Sequence, residues 1–318
     1  MPTIPSFITR YFAKDEPKPP PISTGTAIFL LVIYTLIYVV PFYLSPTTRP
    51  SPTLSRDAPS VIRARIASVS LTCVVCSVIT FLILTSQGQA TPAEALHALG
   101  YWPVGLVETG KSLLLTAVLF TGPLYEHLVI DEQWRDLVAL RSFSALSEWT
   151  TWRNIVAGPF TEEVLFRSAA VPLMLTARTS VTTTIFLSPL VFGLAHLHHY
   201  YEFRLSHPNV AAVTALLRSV LQLGYTTLFG AYATFLYLRS GSLLAVFIVH
   251  AFCNCLGLPR FWGRVYPAIV IGPKGEAWRP SIAWTVVYYV LLVAGAIGWY
   301  KNLGTLTDSS NALVDIKM

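Results

Sequence analysis

The chain has 318 residues, 53% of them hydrophobic and 12% charged, with a formal net charge of +6. Soluble domains carry about 25% charged residues, so this deficit excludes an ordinary soluble domain and marks an integral membrane protein. The basic excess lies mostly in loops and tails, with no Lys/Arg run and no aromatic RNA motif; it fits membrane-surface attraction and topology control, and no nucleic-acid partner is expected.

Residues 1–26 are polar and Pro-rich, and the first apolar run begins only near Ala27, long enough to span and without a clear cleavage site. A signal peptide is therefore not expected. A helix needs about 20 mostly apolar residues to cross a bilayer. On that measure spans are predicted at 27–44, 66–85, 113–128, 160–176, 182–196, 211–238, 243–258 and 282–299, about eight in all. The runs 160–176 and 182–196 are short or polar for lipid-facing helices and are expected inside the bundle. Residues 137–155 mix apolar positions with Arg141, Glu148, Trp149, Trp152 and Arg153, the composition of an interfacial helix with its Trp pair at headgroup level. Linkers fall at 45–59 and 259–280. There is no internal repeat and no room for a soluble domain. The expected fold is an all-α, polytopic transmembrane bundle: one domain over 27–300 with a polar intramembrane cavity, then a tail over 301–318. The loops 45–65, 129–153, 198–210 and 259–280 fall on one side and carry more Lys and Arg than the other, which the positive-inside rule makes cytosolic.

Cys73, Cys76, Cys253 and Cys255 lie in apolar segments. Without a second pair in a matching frame, Cys73 and Cys76 read as buried small residues. Gly105-Leu106-Val107-Glu108-Thr109-Gly110-Lys111-Ser112 satisfies the P-loop string, and Leu128-Val129-Ile130-Asp131 imitates a Walker-B tail. A phosphate cradle needs a buried parallel strand before the loop and a helix after it. Gly100, Trp102 and Pro103 make a poor central strand, so the segment reads as a flexible entry to a span, with Lys111 snorkelling to the interface.

The chemistry is expected elsewhere. Gly158-Pro159-Phe160-Thr161-Glu162-Glu163-Val164-Leu165-Phe166-Arg167 sets charges beside a span, at about 2.5–3.5 kcal/mol per ionisable residue on insertion scales. On a helix Glu163 and Arg167 share a face and pair. Glu162 points elsewhere, free to act as a base, unless both glutamates are structural. His250 and Asn254 also stand four apart; they can donate to an oxyanion or form an interhelical polar clasp. His196 ends a span after Gly193 and Ala195 and is deeper than His198 and His199, which read as interfacial. No H-E-x-x-H or Gly-x-Ser-x-Gly occurs, and every Asp falls outside the spans. A zinc set of Glu162, His196 and His250 remains open.

Taken together, Arg153 to Arg167, Phe192-Gly193-Leu194-Ala195-His196-Leu197-His198-His199, Phe229-Gly230-Ala231-Tyr232 and His250-Ala251-Phe252-Cys253-Asn254 resemble, in order and spacing, the motifs of the type 2 CAAX prenyl proteases, the Ras-converting enzymes of the E-E-x-x-x-R superfamily. The resemblance covers about 153–257. It implies an endopeptidase of the endoplasmic reticulum membrane, open to the cytosol, that removes the last three residues of farnesylated or geranylgeranylated CaaX proteins such as Ras-like and Rho-like GTPases. Under it Glu162 and His196 hold and activate a water, His250 and Asn254 donate to the oxyanion, and Glu163 with Arg167 supports the Glu162 helix. No cofactor is expected, with zinc left open. Membrane lipid is the other expected partner. A transporter or prenyl-binding scaffold is the alternative.

Overall fold

The computed structural model describes residues 19–51, 53–134, 147–266 and 281–316. Helices follow in chain order. They are α1 (Thr24–Val39, carried on by Pro41–Leu44), α2 (Pro59–Ser86), α3 (Pro92–Ala98) and α4 (Leu106–Leu119), then α5 (Thr121–Tyr125, running into Glu126–Ile130). After α6 come α7 (Val181–Ala195), α8 (His198–Ser206), α9 (Ala212–Ser240), α10 (Leu243–Leu256) and α11 (Ile282–Thr307). Side-chain hydroxyls start several of them: Ser23, Thr91, Ser180, Ser242 and Ser281 each accept from a backbone N–H of the first turn.

The central element, α6, is a head-to-tail series: Trp149–Trp152, Arg153–Ala157, Gly158–Glu163, Val164–Ala169 and Val171–Thr176. Arg153–Ala157 and Val164–Ala169 are wide π-type turns, and a proline opens the helical segment after each, Pro159 and Pro172. Proline lacks the N–H and its ring crowds the carbonyl four residues back; a wider turn relieves that crowding. Glu162 and Glu163 sit on the ordinary turn between the two wide ones.

All residues from Val164 to Thr176 are buried. They lie in one apolar core with Leu31 and Tyr34 of α1, Val69 and Cys73 of α2, Phe192 of α7, Leu236 and Tyr237 of α9, and Val246 of α10. Among the described residues four helices are long and apolar enough to cross a membrane: Thr24–Leu44, Pro59–Ser86, Val181–Ser206 and Ile282–Thr307. They form much of an outer wall, with Leu71, Val74, Val290 and Val293 among their exposed side chains. The molecule is an all-α polytopic membrane bundle with α6 at its centre, and every predicted span has a helical counterpart.

Four expectations change. The span predicted at 113–128 is a bent pair, α4 and α5, turned by 80°. Pro123 explains the break, because its ring excludes a straight helix through Leu119, four residues earlier, where α4 stops. α7 is not wholly internal: Phe186, Leu190 and Leu194 face outward at 60%, 43% and 48% exposure. The last helix runs to Thr307, and the segment after it folds back into the core, with Leu313 fully buried and its N–H bonded to Leu238 O. The flexible entry expected at the P-loop string is helical from Leu106 on, and Lys111 Nζ donates to Asp308 O, while Glu108 Oε1 accepts from Ser309 Oγ and Asn311 Nδ2. The P-loop string thus clasps the C-terminal segment, and no strand precedes it among the described residues. Of the interfacial helix, 137–146 lies outside the described residues; Trp149 and Trp152 are helical and partly exposed.

Candidate active site

Glu163 is fully buried, and its Oε1 accepts both from Arg167 Nη1 at 3.0 Å and from His250 Nδ1 at 2.7 Å. The expected helical pair therefore forms, and α10 supplies a second donor that no local pattern reveals. Arg167, 1% exposed, lies between two rings, Phe192 at 4.9 Å and Phe229 at 5.9 Å from its guanidinium carbon. A cation over an aromatic face contributes about 0.5–2 kcal/mol, more when water is excluded. Each ring then touches a histidine: Phe192 lies 4.7 Å from the ring of His196, and Phe229 lies 4.6 Å from His250. So Arg167 and its two aromatic neighbours position both histidines.

The close approach of α7 and α9 makes this possible. A Cβ on Gly193 would stand 2.6 Å from Leu223 Cδ1, and one on Gly230 would stand 2.6 Å from Pro189 Cβ and 3.1 Å from Arg167 Nη2. Small residues at such contacts are what let membrane helices meet.

Glu162 is the less buried of the two carboxylates, at 23% side-chain exposure, with Oε2 3.9 Å from His250 Nε2. Its turn is held from the α1 and α2 side, where Tyr38 OH lies 3.3 Å from Thr161 Oγ1 and Cys73 Sγ donates to Thr161 O. His196 Nδ1 donates to Phe192 O at 3.2 Å. A carbonyl only accepts, so the neutral ring carries its lone pair on Nε2. Asn254 is exposed, and its Nδ2 donates to Asn154 O at 2.9 Å. One of its two N–H donors thus straps α10 to α6, as the clasp alternative anticipates, and the other remains.

Glu162, Glu163, Arg167 and His250 are brought together directly, and His196 joins them through Phe192. The zinc set is not gathered. Among the described residues the three side chains whose ligating atoms lie within 4.8 Å of one another are His198, His199 and Glu202, not Glu162, His196 and His250. Glu202 is itself engaged by Arg65 at 2.7 Å and Arg56 at 3.5 Å, cations that oppose a metal there. Three contributors escape the sequence reading: Phe192 and Phe229 as an aromatic clamp, Asn154 as the acceptor for Asn254, and Glu202 as the partner of His199. The last had a signal, since His199 and Glu202 stand three apart on α8.

With this geometry in place, comparison with known proteins is direct. Residues 144–256 match a family model described as type II CAAX prenyl endopeptidase, Rce1-like. The chain is 40% identical over 278 residues to the probable CAAX prenyl protease 2 of Schizosaccharomyces pombe, covering 87% of this chain and 92% of that one. It is 35% identical over 264 residues to CAAX prenyl protease 2 of Arabidopsis thaliana, covering 76% and 83%. The human CAAX prenyl protease 2 is 34% identical over 215 residues, covering 65% and 64%. No solved structure matches.

Proposed function

The chain belongs to the Rce1-like, type II CAAX prenyl endopeptidase family, and we propose that it is an intramembrane endopeptidase that removes the aaX tripeptide from prenylated CaaX proteins. Ras-like and Rho-like GTPases are the substrate class. The observation that carries the reading is the partly exposed Glu162 beside a fully buried Glu163 whose Oε1 already accepts from both Arg167 and His250. One carboxylate is committed to structure, and the other is left to meet water.

In this mechanism a water donates to Glu162 and to the Nε2 lone pair of His196, and Glu162 takes its proton as it attacks the carbonyl of the prenylcysteine. As the tetrahedral intermediate collapses the C–N bond breaks, and Glu162 returns that proton to the departing amine of the tripeptide. General-base action of this kind contributes about 10²–10⁴-fold. His250 has its Nδ1–H committed to Glu163, so an Nε2–H requires the doubly protonated ring. His250 Nε2–H and the remaining N–H of Asn254 then donate to the oxyanion. The proposed water activation uses Glu162 and His196 alone and routes no step through a metal.

Arg56 and Arg65 pair with Glu202, the partner of His199, and Arg153 pairs with Asp57 at the start of α6, so basic residues gather at the end of the bundle next to the site. By the positive-inside rule this end is cytosolic, which suits substrates made in the cytosol and a place in the endoplasmic reticulum membrane. The prenyl chain stays in the apolar region, at about 0.8 kcal/mol per buried methylene, while the peptide end enters the polar pocket. Incubating the detergent-purified chain, with chelator, with farnesylated and unmodified CaaX peptides tests this by mass analysis. Tripeptide loss from the farnesylated peptide alone is expected. Binding without product would point to a scaffold, and activity restored only by zinc would overturn the metal-free step.

A further inference from the structure

The residues used so far leave out an arc of charged side chains that joins the two sides of the site. From His196 the ring of His199 lies 5.7 Å away, and His199 Nδ1 donates to Glu202 Oε2 at 3.0 Å. Arg56 Nη1 lies 3.5 Å from the same oxygen, and its Nε lies 3.7 Å from Asp57 Oδ1. Arg153 Nη1 donates to that Asp57 oxygen at 2.7 Å and its Nε to Asn154 Oδ1 at 3.0 Å. Asn154 O accepts from Asn254, which closes the arc on the far side of the site.

The arc is electropositive. Arg56, Arg65 and Arg153 face two carboxylates, Asp57 and Glu202, and Arg63 adds a fourth cation over the Trp149 ring. The Asp57 contacts are also replaceable. Asp57 is 55% exposed, its partners Arg56 and Arg153 49% and 22%, and surface pairs contribute only about 0–1 kcal/mol. A better-placed carboxylate can take over the guanidinium fork.

The spacing fits a particular carboxylate. Arg153 precedes Glu162 by nine positions on α6, at most about 13–14 Å along the axis, because the wide turn over Arg153–Ala157 rises less per residue than an ordinary α turn. Three extended residues span at most about 10–11 Å, and the arginine side chain covers the difference. An enzyme that releases a tripeptide handles a free α-carboxylate at that distance from the scissile carbonyl. We propose that Arg153, backed by Arg56 across Asp57, receives the α-carboxylate of the substrate's C-terminal residue and so sets the cut three residues in. This assignment rests on the CaaX endopeptidase reading.

Two farnesylated CaaX peptides, identical except for a C-terminal carboxylate or carboxamide, test it on the detergent-purified full chain. The wild type should favour the acid by about tenfold in kcat/KM, through KM, the scale of one hydrogen bond to a charged group. Arg153→Gln should lose that preference, its kcat/KM for acid and amide becoming equal, with its fold read by thermal shift; Arg153→Lys should keep part of it. Equal use of acid and amide by the wild type overturns carboxylate recognition and leaves the protease reading standing. Full preference retained in Arg153→Gln overturns the role of Arg153. Should Arg153→Gln lose amide turnover as well, Arg56→Gln decides: its side chain pairs with Asp57 and Glu202, so it must weaken the acid preference, and full retention sinks the assignment. Cleavage of neither peptide by the wild type overturns the protease reading and this assignment with it.

Discussion

Replacing Glu163 by alanine removes the acceptor that holds the centre of the bundle together. Arg167 is 1% exposed, and its Nε and Nη2 already lack hydrogen-bond partners, so Glu163 Oε1 is the one oxygen that compensates its charge through a hydrogen bond among the described residues. Breaking a buried pair by deleting one member costs about 3–5 kcal/mol, because the survivor stays buried and uncompensated. The rings of Phe192 and Phe229 remain over the guanidinium and offset only about 1–2 kcal/mol of a full desolvation penalty. At roughly 2–4 °C per kcal/mol for a domain of about this size, Glu163→Ala should lower Tm in detergent by about 6–20 °C. Adding Arg167→Met removes the orphaned charge and refills its volume, a replacement that is often neutral or stabilising. The double variant should therefore recover most of the lost Tm and still fail to cleave, since His250 has lost the oxygen that orients it. Thermal-shift and peptide-cleavage assays on the same preparations read both. A Glu163→Ala variant as stable as wild type, or a double variant no more stable than the single one, would refute the buried-pair account.

Further outcomes follow from single contacts. Gly230→Ala places a methyl 2.6 Å from Pro189 Cβ and against Arg167 Nη2; overpacking of this kind costs about 1–3 kcal/mol, and a matching fall in Tm with reduced kcat is expected. Deleting residues after Asp308 removes Leu313 and Val314, buried to 0% and 5% exposure, worth about 1.5–3 kcal/mol each; a loss of Tm marks a folded-back segment, and an unchanged Tm a dispensable tail. His97, on α3 outside the spans, is held below the ordinary histidine pKa by burial, partly countered by its bond to Asn311 O. The unfolded chain then takes up the proton more readily, so this contribution is whole above a pH of about 6.5 and is lost as pH falls below it. Tm measured from pH 8 to 5 should decline less steeply in His97→Gln than in the wild type.

The parts of the site that follow helical periodicity were legible in the sequence. Glu163 and Arg167 stand four apart and pair, and the burial of most of 160–176, complete from Val164 to Thr176, follows from a run too polar and short for a lipid wall. What was not legible depends on contacts across the fold. His250 meets Glu163 from 87 positions away, and nothing local indicates that one ring nitrogen is already spent on that carboxylate. Asn254 reads from spacing as an oxyanion donor or a clasp, and the spacing does not reveal that its partner is the Asn154 carbonyl on α6. The break at Pro123 had a local signal that hydropathy counting overrides. The P-loop string had no such warning, since Glu108 and Lys111 act on a segment about 200 positions later.

Glu162 as the base is the centre of the account, and Glu162→Gln tests it most directly. The amide keeps the volume of a side chain that makes no buried ion pair to Arg167, so Tm should stay close to wild type. Cleavage of the farnesylated peptide should fall by at least about 10²-fold in kcat, with KM little changed. Near-normal kcat in the folded variant would contradict the assignment and move the search for the base to another group.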